Sequence, residues 1–306
     1  MGPEIFFKVL VFPGFFFAAV MGLLYLWLHR KLLARFQWRV GPPVYQTFAD
    51  FVKLFFKETI IPAGCNKLAF VSAPLLALAS LIAASVLIPI GGRGALEFTA
   101  DLIVLLYLLT LPAVALLIGG ASSGNPFGGV GAGRKATLLL SYELGLVVSL
   151  LSLAFGAGSL RIGDLMRFSE RVGPLLCLPG AIAFLLCMQA KLGLLPFDIP
   201  EAKTEIMAGV YTEYSGVLLG LLKLSKAMLL FLLPSFLVSL FFPGPVTGVY
   251  LFDTLLHLAK VAVIVLVVSI IVAVNPRLRI DQALRFFWVY VLGLSALSFI
   301  LIRFAV

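Results

Sequence analysis

The chain has 306 residues, 62% of them hydrophobic and only 12% charged, with a formal net charge of +9. Soluble domains are roughly 45–50% apolar and about 25% charged, so a water-soluble enzyme is excluded. Nucleic-acid binding is excluded too, because no soluble basic region with interleaved aromatics is present. Cys65, Cys177 and Cys187 form no C-x-x-C pair, and His29 and His257 fall on different segments, so neither a metal nor any other cofactor is expected on this chain.

Eight apolar segments, at about 5–28, 68–90, 101–120, 136–157, 175–195, 211–240, 251–274 and 284–304, are each long enough to cross a roughly 30 Å hydrocarbon layer as a helix. An all-α, polytopic integral membrane protein with about eight transmembrane helices is predicted, as a single transmembrane domain over 1–306. The first segment is too long for a signal-peptide core and is followed by His29, Arg30 and Lys31, so it reads as a retained anchor. In the next connection TFADFVKLFFKETI places Phe48, Phe51, Val52, Phe55, Phe56 and Thr59 on one helical side and Asp50, Lys53 and Lys57 away from it. That is the pattern of an amphipathic helix lying in the membrane interface, against the lipid bilayer.

The third connection, GGASSGNPFGGVGAGRKA, lacks the spacing of a phosphate-binding loop and reads as a flexible glycine-rich segment packed against a neighbour. Glu143 then stands about seven residues, or roughly 10 Å, inside the expected start of the fourth helix, and should face protein. The fifth connection, KLGLLPFDIPEAKTEIMAGVYTEYSG, holds Asp198, Glu201, Glu205 and Glu213, four of the fourteen acidic residues. Asp198, Pro200 and Glu201 have the spacing of an N-cap, a first-turn proline and a capping box. Glu201 and Glu205 would then repel across one helix face. Capping leaves Glu205 and Glu213 unexplained, and acids at a membrane's edge are functional candidates.

Further on, Lys223 and Lys226 share a face of the sixth segment, and Asp253, His257 and Lys260 a face of the seventh; central lysines cost at least roughly 2.5–3.5 kcal/mol on insertion scales. A lysine facing a carboxylate is a titratable pair, the minimum equipment for moving a proton. Odd-numbered connections hold fourteen Lys and Arg, against six (Lys8, Arg93, Arg161, Arg167, Arg171 and Arg303) in the even ones and the termini. The positive-inside rule makes the odd connections cytoplasmic and both termini external, in the plasma membrane.

HRKLLARFQWRVGP (29–42), QTFADFVKLFFKE (46–58), SYE (141–143) and above all LPFDIPEAKTEIMAGVYTEYSG (195–216) resemble the eight-helix membrane subunit that joins the redox arm to the membrane arm in respiratory complex I and in energy-converting nickel–iron hydrogenases. Only Pro43, Val44 and Tyr45 separate the R-x-G-P from Gln46, about six residues fewer than in the quinone-reducing enzymes. His29 and Lys226 stand where that pattern has glutamates, and SGNPFGGVGAGR is similar to the hydrogenase run. The resemblance therefore implies the hydrogenase or sulfur-reductase branch. It implies a non-catalytic coupling subunit without a redox centre, working with peripheral iron–sulfur and hydrogenase-like large subunits that hold the clusters and a nickel–iron centre, and with antiporter-like membrane subunits. Ion translocation falls to Glu143, Asp198, Glu201, Glu205, Glu213, Lys223, Lys226, Asp253, His257 and Lys260, and docking of the peripheral arm to Arg35, Arg39, Asp50, Lys53 and Arg134. The quinone-module subunit of complex I stays open as an alternative. So do a static anchor and a free-standing secondary transporter, although a transporter usually has two corresponding halves and no second copy of P-F-D-x-P-E or S-Y-E exists here.

Overall fold

Every regular element among the described residues is helical. The computed structural model describes the backbone of residues 2–92, 94, 96–244 and 249–305, and the side chains of all of these except 2–5, 203 and 305. Arg93, counted above among the outer basic residues, lies outside them, as does the side chain of Lys203. In chain order the helices are α1 (Gly2–Leu10), α2 (Phe15–Phe36), α3 (Tyr45–Phe56), α4 (Lys67–Leu87), α5 (Asp101–Ser122), α6 (Pro126–Ala157), α7 (Ile162–Val172), α8 (Pro174–Lys191), α9 (Lys203–Ile206), α10 (Gly216–Phe241), α11 (Tyr250–Val274), α12 (Ile280–Arg285) and α13 (Leu292–Ala305). A 3-10 turn (Gly209–Tyr211) precedes α10, and a π-helical stretch (Phe286–Val291) joins α12 to α13. Among these are eight spans long and apolar enough to cross a membrane, as expected.

Two span boundaries move, for local reasons. The first span breaks near Gly14, where a Cβ would collide with the carbonyl of Val9, and then runs on to Phe36, so Arg30, Lys31 and Arg35 are helical. The fourth begins at Pro126, ten residues early, because Asn125 caps it and Pro126 occupies its first turn. The glycine-rich segment is thus the start of a helix and not a flexible loop. Its expected close packing is internal: a Cβ on Gly131 would lie 2.9 Å from the backbone nitrogen of Val210. Glu143 accordingly sits seventeen residues beyond Pro126, about 25 Å along the helix axis, not 10 Å.

Helix α10 is apolar on nearly every side and forms the centre of the bundle, the behaviour expected of a helix without a polar face. Gly22 of α2 lies against it so closely that a Cβ would fall 2.7 Å from the carbonyl oxygen of Ala227, and Tyr25 stacks on Phe231 at 5.5 Å while donating to Leu258 O. Helix α3 also packs on α10, through Leu54 and Phe55 near Gly220. Its predicted aromatic side is divided: Phe48 and Phe51 turn to the core, whereas Val52, Phe55 and Phe56 remain exposed.

The odd connections meet at one end. Thr59 and Ser215 hydrogen-bond across the first and fifth connections, Asn66 N donates to Ser122 O, and Arg277 of the seventh reaches the fifth. Tyr214 fastens this end: its ring stacks on Phe70 at 4.1 Å and its hydroxyl donates to Phe70 O at 3.0 Å. A Cβ on Gly119 would collide with that hydroxyl. We expect Gly119→Ala to cost about 1–3 kcal/mol through overpacking, read as a lower thermal midpoint in detergent, with Gly129→Ala, which meets open space, as the silent control.

Candidate functional site

Between α8 and α10 the acidic segment folds as turns. No helix starts at Asp198: α9 begins at Lys203, with Ala202 as an N-cap that offers no side-chain bond. The expected capping box is therefore corrected. Asp198 Oδ2 accepts from Arg277 Nη2 at 3.0 Å, and Glu201 pairs with Lys226 of α10. A full cation holds a carboxylate more strongly than a neutral backbone donor does. Nor do Glu201 and Glu205 share a helix face. Glu205 accepts from Arg134 Nη1 at 2.6 Å and lies 3.8 Å from Arg277 Nη1, while Glu213 accepts from Asn125 Nδ2 at 2.5 Å.

Deeper in, Glu143 meets Lys191 at the end of α8, Nζ to Oε2 3.3 Å, and Thr110 of α5 lies 2.8 Å from Glu143 Oε1 and 3.2 Å from Lys191 Nζ. The Lys191 side chain is 1% exposed and Glu143 24%, so the lysine is sealed while the carboxylate opens to the outside of this chain. A cavity of about 20 Å³ joins this pair to the previous one, lined among others by Lys135, Lys191, Glu201, Tyr211 and Lys226. The Tyr211 hydroxyl is buried there without a hydrogen-bond partner, as is that of Tyr142 beside Glu143.

Burial pushes the Asp198 carboxyl above its usual range, helped by the negative charge of Glu201 and opposed by Lys226 and Arg277. Burial likewise raises the Tyr211 hydroxyl well above its ordinary value, with Glu201 adding to the effect. Glu205 goes the other way: the hydrogen bond from Arg134 holds it below the usual carboxylate range.

A second polar cluster lies further along α10. His257 Nε2 and Ser235 Oγ are 2.8 Å apart, Lys260 Nζ donates to Phe242 O at 3.0 Å, and Asp253, His257 and Lys260 line one cavity of about 30 Å³. Ser235 is nine residues from Lys226, about 13 Å along the helix, and Met228 to Leu233 between them are apolar. The structure thus does not join the two clusters. Lys223 is exposed, contrary to expectation; three residues along a helix leave it about 60° from Lys226, enough to turn it out of the bundle. Of the expected docking residues, Arg35, Arg39 and Lys53 are exposed, Asp50 pairs with Arg30 at 3.1 Å, and Arg134 holds Glu205. Among the described residues no three His, Cys, Asp or Glu side chains gather as a metal-binding group.

Lys135, Lys191 and Arg277 enter the sequence reading only as topology markers. The legible signals are that Lys191 lies seven residues before Asp198 and that Lys135 follows Arg134 on the same helix as Glu143.

A family model described as NADH dehydrogenase matches residues 7–303. An NADH-quinone oxidoreductase subunit from Dehalococcoides mccartyi (strain CBDB1) is 31% identical over 299 residues, covering 95% of this chain and 84% of that protein. Its counterpart in Thermomicrobium roseum is 35% identical over 300 residues, covering 89% and 87%. Among solved structures, a chain of the membrane-bound sulfane sulfur reductase, an archaeal respiratory membrane complex, superposes with a TM-score of 0.89 at 29% identity, covering 97% of this chain and 99% of that one.

Two measurements check this geometry. Lys191→Met strands Glu143 and should cost about 3–5 kcal/mol, while Glu143→Gln with Lys191→Met should recover most of it; additive losses of thermal midpoint would dissolve the pair. For Glu205 the folded carboxyl titrates below the unfolded one, so its stabilisation is present above about pH 4.3 and lost as pH falls through the lowered value. Arg134→Gln should lower the midpoint near pH 6, by at most about 1 kcal/mol for such an exposed pair, and the difference should vanish on acidification.

Proposed function

The chain belongs to the NADH dehydrogenase family, and on that premise we propose that it is the membrane subunit of a sulfur-reductase- or hydrogenase-type oxidoreductase complex, one that couples electron transfer in docked subunits to ion movement. The branch rests on length and on substitutions. The sulfane sulfur reductase chain matches end to end, whereas this chain spans 84–87% of the two quinone-oxidoreductase relatives. His29 is occupied by Ser269, at 2.8 Å, and Lys226 by Glu201.

One observation carries the coupling role: ion pairs run from the exposed end of the bundle inward, Arg134–Glu205 and Arg277–Asp198, then Lys226–Glu201, then Lys191–Glu143. In this reading the redox centres belong to the partners, which dock on the end carrying Arg35, Arg39 and Lys53. That end faces the cytoplasm of the plasma membrane, and both termini face out. A unit charge arriving about 10 Å from Asp198 acts on it by roughly 1–2 kcal/mol at an effective dielectric constant of about 20, close to one pKa unit. Asp198, already raised by burial and by Glu201, gains a proton readily, and the protonation is passed along the pairs towards Glu143.

The test is Glu143→Gln in the whole complex, reconstituted in vesicles. Electron transfer between soluble donor and acceptor should survive at least in part, while ion uptake collapses. Uptake at the parental ion-to-electron ratio would remove Glu143 from the path. The complex I reading is favoured instead if a quinone analogue inhibits competitively and to saturation.

A further inference from the structure

Lys135 lies on α6 one turn after Gly131, the residue packed against the backbone at Val210, and it is buried. It shares the cavity with Lys191, Glu201, Tyr211 and Lys226. The charges that act on it come from three other elements: Glu201 and Asp198 in the turns, Lys226 on α10 and Lys191 on α8. Lys226 has Glu201 and Lys191 has Glu143 as partners; among the described residues no carboxylate lies within 4 Å of the Lys135 nitrogen.

Three amines thus line a space served by two carboxylates. A permanent third ammonium there is a buried charge without a counterion, which is costly, and amines pointing into a cavity repel a metal cation. A group that takes up a proton and gives it away meets neither objection. The cavity volume is about 20 Å³, room for roughly one water, and the partnerless Tyr211 hydroxyl stands in its wall.

We propose that Lys135 relays protons between the Glu201–Lys226 pair and the Lys191–Glu143 pair, so that the species crossing this cavity is a proton. In the first transfer an N–H bond of Lys226 breaks and one forms on the Lys135 nitrogen, through the Tyr211 hydroxyl or a water, and Glu201 refills Lys226. In the second, Lys191 has passed its proton to the Glu143 carboxylate, and the Lys135 ammonium replaces it. Each transfer breaks one bond to hydrogen and makes one. The relay rests on the coupling role proposed above.

The experiment compares Lys135→Met and Lys135→Arg in the whole complex, reconstituted in vesicles with a trapped pH dye. Methionine fills a similar volume without a proton, and arginine keeps its charge but does not release it. Both should assemble, with the thermal midpoint of Lys135→Met equal to or above the parent because an apolar side chain replaces an unmatched buried amine. Electron transfer to a soluble acceptor should stay within about twofold, and proton uptake should fall at least tenfold in both. Parental uptake in either variant, or failure of both to assemble, overturns the relay, the latter making Lys135 a structural residue. If only Lys135→Met fails to assemble, uptake by Lys135→Arg decides. Loss of uptake in Glu143→Gln with none in the Lys135 variants sinks the relay alone, whereas parental uptake in Glu143→Gln sinks the coupling role beneath it.

Discussion

A carboxylate inside a helix bundle has to be answered by a cation, and the placement of Lys191 opposite Glu143 is the condition on which the inner half of this protein depends. Lys191 is the last residue of α8, so the pair fixes where that helix ends and where the acidic turns begin. Thr110 on α5 touches both partners. Three helices that share no sequence neighbourhood are thereby held in register by one polar contact. In a bilayer, where packing between helices receives little help from the hydrophobic effect, such contacts carry a larger share of specificity.

The same requirement operates at the outer rim of the site with different parts. Arg277 serves Asp198 and lies near Glu205, Arg134 serves Glu205, and Asn125 caps α6 while holding Glu213. Each acid of the fifth connection is bound to a different element, so the connection is ordered although it has little regular structure. Gly131 and Gly209 allow it to approach α6 at backbone distance. A glycine-rich helix start and an acidic turn segment, far apart in the chain, are two halves of one surface.

The eight spans were legible because apolar length is a strong signal, and the amphipathic α3 because its aromatic spacing is helical. The site was legible only as a set of acids. Their partners were hidden by two local misreadings. Starting the fourth helix at 136 left Lys135 in a loop, where a lysine needs no explanation; the Asn125 cap and Pro126 that extend the helix lay inside a stretch dominated by glycine. The spacing of Asp198, Pro200 and Glu201 is a genuine helix-start pattern, but local capping is worth about 1 kcal/mol and yields to the cations at Arg277 and Lys226. Which side chain meets which is a tertiary fact, and spacing along one helix, as with Lys223 and Lys226, does not settle it.

The π-helical stretch at Phe286–Val291 has a consequence for how length variation in this span would be tolerated. Inward-facing residues along the eighth span are Ala283, Phe287, Val291, Ser295, Ser298 and Ile302, three steps of four followed by three and four. Twelve residues of ordinary helix turn through about 1200°, leaving such a stripe roughly 120° out of line by Ser295; the wider turn takes up the excess. A π bulge is in effect one inserted residue. Removing a residue from 286–291 would restore regular winding and rotate everything after it by about 100°, carrying Ser298 away from its contact with Ser152 and presenting hydroxyls to the membrane interior. The span therefore has a fixed residue count on the inner side of Val291, even though its outward face is free to vary.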